Sequence, residues 1–327
     1  MIRVIFPVVA FGLLIWLLDR VGWSNIARIG SKVEVFGVFI LLMLGIGESV
    51  GDAVAIYYST ERRLPLWAGL VGNATGAILN WFIPLEAGEA YKIAYLGRYT
   101  SNDHAACSVL VWNYILKWTS PGVNLAAATL GLLIATSLRS EVAWLVFVAS
   151  LLALTPYAGL RLLLSSGAVL KVSKRLLGWM IKPARADIFY NAIRNVHEGV
   201  RMFRNNHHGD YVRVVLWQLA ARSFSWMALY AASRLMGFSY TFGECAIIHA
   251  AIGSMGYVTS VLPARVGVTE STAYVLFEAM GLPGEHGLLL VLAQRVKALL
   301  ANGGTNILGS LGMLVRSQLG RRSFKPQ

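Results

Sequence analysis

Charge is what this sequence has least of. Only 14% of its 327 residues are Asp, Glu, Lys or Arg, where a soluble domain carries about 25%. With 56% hydrophobic residues and a mean hydropathy of +0.59, that shortage excludes an ordinary soluble enzyme. It marks an integral membrane protein. Cysteine is nearly missing as well. Cys107 and Cys245 fall inside apolar runs without metal-type spacing, so they read as packing residues. No Gly-rich nucleotide loop, His-Glu-x-x-His motif, nucleophile elbow or paired acids of a glycosyltransferase are found. The expectation is a protein that is not an enzyme and uses no cofactor and no metal. His207-His208 reads as loop surface, His249 as a packed histidine, and the sequon Asn73-Ala74-Thr75 as part of an apolar run.

What charge there is has a sign, +13 net. Its basic residues gather in loops and at segment ends. That suits an anionic lipid surface and leaves no soluble basic domain for nucleic acid. The longest polar stretch, residues 165–210, holds Lys171, Lys174, Arg175, Lys182, Arg185, Arg194, Arg201 and Arg204. Its apolar residues recur at partly helical spacing, which predicts a basic amphipathic segment lying on the membrane.

The apolar runs predict spans. The first covers 4–18 and is read as uncleaved, because no small-residue cleavage site follows Leu18-Asp19-Arg20. Further runs cover 33–56, 66–83, 105–137, 142–164, 212–236, 242–262 and 287–315. Pro121-Gly122 predicts a kink or break in 105–137. Positive charge places the central basic segment and the C-terminal tail in the cytoplasm of a multi-pass protein in a bacterial or archaeal cell membrane.

Two stretches break the apolar pattern: Pro84-Leu85-Glu86-Ala87-Gly88-Glu89-Ala90-Tyr91-Lys92 and Pro263-Ala264-Arg265-Val266-Gly267-Val268-Thr269-Glu270. Helix breakers and charges at membrane depth are costly and need a reason. The prolines and the glycines are separated alike: 263 − 84 and 267 − 88 are both 179. The same shift carries 33–56 onto 212–235 and 66–83 onto 245–262. The fold class predicted is an all-α membrane bundle, a single domain over 1–327. Its inverted repeats cover 33–137 and 212–315, each with a re-entrant hairpin, the two entering from opposite faces.

Half-helix N-termini with free N–H groups suit a phosphate. Arg265 adds a bidentate contact. Glu89 and Glu270 serve as first-turn caps or partners of Lys92 and Arg265, or as carboxylates that take a proton. At membrane depth lie Glu48 and Asp52, four apart on one helix face, and Lys117, Arg222, His249, Glu278, Arg295 and Lys297. Lys117 and Arg222 are the candidates for a buried cation. Glu278, Arg295 and Lys297 are read as snorkelling or paired near segment ends.

Asn80–Arg98 and Leu262–Gly281, with Gln294-Arg295 and Gly303-Gly304, resemble the signature of the lysylphosphatidylglycerol synthase transmembrane-domain family. The resemblance points to Pro84, Gly88, Glu89, Lys92, Pro263, Gly267, Glu270 and Arg295. Lys92 stands where arginine is commoner, and Ala264-Arg265 replaces small residues. The resemblance implies the flippase half of such proteins and no lysyl transfer. The function expected is translocation of a membrane phospholipid or a polyprenyl-phosphate lipid. The alternatives are a proton-coupled transporter of a small soluble anion, or a scaffold for a lipid-modifying enzyme partner. A homo-oligomer is compatible with each.

Overall fold

The computed structural model describes residues 34–82, 87–134, 140–165, 198–199, 201–258 and 268–323, and these are helical with no strand among them. The first predicted span, Pro84, Pro263, Arg265, Gly267 and most of the 165–210 segment lie outside the described residues. The helices are α1 Val35–Ser59, α2 Leu66–Phe82, α3 Ala87–Leu96, α4 Asn102–Ile134, α5 Ser140–Ser165, α6 His208–Leu235, α7 Phe242–Val258, α8 Val268–Ala279 and α9 Gly284–Ser323. Their limits fall within a few residues of the apolar runs, except that α9 continues past the predicted end at 315.

Local chemistry explains several ends. At the close of α1, Ser59 Oγ and Thr60 Oγ1 donate to the carbonyls of Ile56 and Tyr57, both at 2.8 Å. Those carbonyls have no further turn to serve. Glu61 and Arg62 then take left-handed backbone, φ 56° and 63°, and Pro65 precedes α2 with its φ already suited to a helix start. Helix α6 ends on Gly237, φ 75°, with Phe238 N–H on the Ser233 carbonyl at 2.9 Å, a Schellman arrangement. Pro121 does not break α4, which runs unbroken over Asn102–Ile134. The Thr119 hydroxyl lies 3.0 Å from the Ile115 carbonyl and 3.3 Å from that of Leu116 in the turn before the proline.

Helices α1 and α6 are the central pair. They run antiparallel: Gly37 faces Leu235, Gly47 faces Phe224, and Gly51 faces Ala221 and the Trp217 carbonyl. Gly47 and Gly51, four apart, let the two backbones approach as side chains would not. Helices α2 and α3 form an antiparallel hairpin in which Gly88 meets Gly76, while Tyr95 and Leu96 meet Gly72. Apart from the packing of α5 on α4 and α7, several of the remaining contacts fall in matched pairs. Helix α2 packs on α9 as α7 packs on α4, α3 on α4 as α8 on α9, and α1 on α9 as α6 on α4.

The core is divided. One apolar block gathers Leu41, Ala127, Ala128, Ala228, Leu229, Ala232, Cys245 to Ile248, Ala250 and Ala251. The other gathers Ala55, Ile56, Leu96, Val109, Trp112, Ile115, Phe203 and Val214. Along α1, α4 and α6 the residues between the blocks include Glu48, Ser49, Asp52, Thr119, Asn124, Gln218 and Arg222. This polar layer crosses the helices near their midpoints. Glu48 lies 13 residues from the start of α1, about 20 Å along its axis. Outside the layer, Phe36, Leu133, Trp144, Leu145 and Leu152 present exposed apolar surface, as lipid-facing positions do.

Candidate functional site: a charged layer at the helix midpoints

Helix α3 enters the layer through its first turns. Gly88 N–H donates to Asn80 Oδ1 at 2.7 Å, and Asn80 Nδ2 donates to Glu89 Oε1 at 3.2 Å. Asn80 thereby ties the end of α2 to the start of α3. Glu89 also receives Lys92 Nζ at 2.9 Å. A carboxylate in the first turn complements the helix dipole. The lysine is only 2% exposed, and its ammonium lies 4.1 Å from the centre of the Trp112 ring on α4, a cation–π contact. A buried ammonium is stable only when paired in this manner. The expected Glu89–Lys92 pairing is therefore present.

Glu270 is fully buried in the first turn of α8. It is held by Arg295 of α9 through Nε–Oε1 and through Nη2–Oε2, the latter at 3.2 Å. Of the two expectations for Arg295, snorkelling or pairing, pairing is the one found. Arg295 stands in the body of α9, packed on α8, and the guanidinium meets the carboxylate with one hydrogen bond and one close ion-pair contact.

Between the hairpins lies a network with no counterpart in the sequence motifs. Arg222 of α6 donates to Asp52 of α1 and lies 3.6 Å from Glu48. Lys297 of α9 donates to Glu48 at 2.7 Å, with its side chain 3% exposed. Of the two expectations for Lys297, snorkelling or pairing, pairing is the one found, and it occurs well inside α9 and not near its end. The Lys297 stem crosses Gly45 and its charge ends on Glu48. Asp52 also feels the charge of Lys92, and His249 of α7 lies within electrostatic reach of Glu48, Arg222 and Lys297. The expected pair Glu48 and Asp52 does share one face, and Arg222 bridges it. Helix α9 extends the polar line: Asn302 accepts from Ser49 at 3.1 Å, and Asn306 donates to Thr75 at 2.8 Å. Lys117 is half-buried on α4.

The ion pairs form three groups: Glu89 with Lys92, Asp52 and Glu48 with Arg222 and Lys297, and Glu270 with Arg295. Sequence reasoning had the hairpin ends and Arg222. It missed Lys297 and the direct role of Glu48. The detectable signal was a lysine ten residues inside a predicted span, which ought to have outweighed the distance to either end.

A second charged cluster lies at one end of the α1–α6 pair. Asp210 accepts from Arg62 at 2.7 Å and from Arg213 at 2.8 Å. Both guanidiniums lie over Tyr58, at 5.6 and 5.4 Å. Burial would raise the Asp210 carboxyl, but the two arginine hydrogen bonds hold it below its ordinary value. The arrangement ties the α1–α2 link to the first turn of α6.

Apolar outer surfaces, one helix (Val35–Ser59) long and apolar enough to cross a bilayer among the described residues, and charges paired at helix midpoints define an α-helical membrane protein. Residues 4–301 match the model of the family described as lysylphosphatidylglycerol synthase TM region. The chain belongs to that family, and its function is one concerned with membrane lipid. No curated protein and no solved structure matches it.

Proposed function

We propose that this chain is a lipid translocase that moves an anionic or phosphate-bearing lipid, a phospholipid or a polyprenyl-phosphate, between the leaflets. The observation that carries the reading is the set of cations at membrane depth, Lys92 and Lys297 buried and Arg222 half-buried. Such cations are costly at membrane depth unless they serve a charged cargo. Membership of a lipid-related family makes a lipid headgroup the natural cargo. In this reading the chain is a multi-pass carrier of the cell membrane, not an enzyme, and needs no cofactor.

The matched helix contacts support an inverted repeat, with α1–α4 and α6–α9 as its halves. The antiparallel course of α1 and α6 gives those halves opposite directions in the bilayer. Hairpins α2–α3 and α7–α8 then enter from opposite faces and meet the polar layer, as broken helices do in inverted-repeat carriers. Arg62, Arg63 and Arg213 set their end of the bundle in the cytoplasm. The headgroup passes between the hairpins while its tails stay in lipid.

Vesicles carrying the reconstituted protein and labelled phosphatidylglycerol in one leaflet test the proposal. Translocation is expected to fall at least about tenfold in Lys92→Gln and in Arg222→Gln, the loss of one charge-assisted contact. Unchanged rates in both variants refute the site. Movement of a soluble anion with no movement of lipid establishes the soluble-anion transporter instead.

A further inference from the structure

Counting formal charges, the ion-paired groups described in the layer are balanced. Lys92, Arg222 and Lys297 stand against Glu89, Glu48 and Asp52, and Arg295 stands against Glu270. Every one of these cations already has a resident carboxylate. A phosphate that enters must displace one of them from its cation, and the layer then carries one uncompensated negative charge in a low-dielectric setting. The field penalty for such a charge is severe, and a buried group escapes it by taking a proton.

The geometry singles out which carboxylate yields. Glu48 is held from two sides, by Lys297 at 2.7 Å and by Arg222 at 3.6 Å. Asp52 has Arg222 on one oxygen, while its Oδ1 is buried and accepts no hydrogen bond from a described residue. When Arg222 turns to a phosphate, Asp52 is left without its hydrogen-bond donor.

We propose that Asp52 is the proton-coupling group of the carrier, so that each singly charged lipid headgroup crosses together with one proton. This rests on the translocase reading above. The step balances. On the loading side a hydronium ion gives its proton to Asp52 Oδ1, an O–H bond forms and water leaves. The headgroup takes the place of the carboxylate on Arg222. On the far side the lipid departs, the O–H bond ionises to water, and Asp52 closes on Arg222 again. The cycle moves one anion and one proton and is electroneutral.

The groups facing Asp52 set the field it titrates in. They are Glu48 on its own helix, Arg222 on α6, Lys92 on α3, and Lys297 with His249 acting through Glu48 from α9 and α7. Helix α2 carries no ionisable side chain along Leu66–Phe82. Helix α4 carries Lys117, and His104 lies at the far end of α1 with its Nε2 3.2 Å from the Thr60 carbonyl.

Vesicles with labelled phosphatidylglycerol, an imposed pH step and a trapped pH dye test the coupling. For one-to-one coupling, each pH unit shifts the equilibrium ratio of labelled lipid between leaflets about tenfold toward the alkaline side. The dye records proton entry with the lipid. Labelled phosphatidylcholine, which is net neutral, is expected to ignore the step. In Asp52→Asn the phosphatidylglycerol ratio no longer follows pH, whatever the variant's downhill rate. Should that variant fail to fold, the wild-type response to the pH step still tests the coupling by itself. A wild-type protein that moves phosphatidylglycerol with no response to the pH step overturns the coupling and leaves the translocase standing. A pH-driven ratio that survives Asp52→Asn overturns the assignment to Asp52. No movement of lipid under any gradient removes the translocase reading itself, and the coupling with it.

Discussion

Replacing Glu48 by glutamine and Lys297 by methionine, singly and together, probes the central network most directly. The two partners are unequally buried. The Lys297 side chain is 3% exposed and Glu48 is its carboxylate, whereas Glu48 is 20% exposed and has Arg222 as a second cation at 3.6 Å. In Glu48→Gln the ammonium of Lys297 loses its counter-charge where water cannot replace it. Removing one member of a buried pair costs about 3–5 kcal/mol, and the lower end applies here because the glutamine oxygen still accepts a hydrogen bond. In Lys297→Met the glutamate keeps Arg222 and some solvent, so about 1–2 kcal/mol is expected. The double variant leaves no uncompensated charge, and the methionine fills the space of the lysine stem beside Gly45 and Ala301. Its stability is expected within about 1 kcal/mol of the wild type. The cycle therefore yields a coupling of about 3–6 kcal/mol. Reversible unfolding of the purified protein in detergent micelles measures it. Additivity to within about 0.5 kcal/mol would refute the pairing.

Asp210 is held below its usual carboxylate range, so its contribution to stability is complete above the unfolded value of 3.8 and is lost as pH falls through the lower folded value. An acid unfolding curve should therefore lose a step below about pH 4 in Asp210→Asn, and an unaltered curve would disprove the clamp. Gly88→Ala would push a Cβ into the Gly76 carbonyl and to within 2.7 Å of the Asn80 side chain. We expect a loss of about 1–3 kcal/mol together with lost lipid movement, and near-wild-type behaviour in both assays counts against the α2–α3 contact. Gln218 is fully buried, with Nε2 on the Trp112 carbonyl at 2.9 Å and Oε1 3.0 Å from the Thr119 hydroxyl. Gln218→Leu removes both hydrogen bonds between α4 and α6 at about 1–3 kcal/mol, readable as a lowered melting temperature, whereas a gain in stability would mean that these bonds do not hold α4 to α6.

Helix placement was legible because apolar runs of this length have one economical use, and the runs 66–83 and 142–164 differ from α2 and α5 by no more than two residues at either end. Local patterns were readable too. Glu89 and Lys92 are three apart on one helix, so their pairing followed from spacing alone. Pro121 carries less weight than its type suggests: a proline removes one hydrogen bond, and a 33-residue helix packed against α7, α5 and α6 bears that loss unbroken. Lys297 escaped for a different reason. Its partner Glu48 is 249 residues away in sequence, and no periodicity in either helix points to the other. Arg295 and Glu270, 25 apart, fall under the same limit, although the family resemblance names both residues without joining them.

The clamp at Tyr58 has a mechanical meaning. Helices α1 and α6 meet at glycines along their shared length and are fastened at one end by Asp210 between two arginines. A pair so joined cannot slide without unfastening both the glycine seam and the clamp, and so transmits force as one stiff spar. In the carrier proposed above, displacement would fall on the short helices α3 and α8, 10 and 12 residues long. They would bring Glu89, Lys92 and Glu270 to an axis that holds Arg222, Glu48 and Asp52 in place.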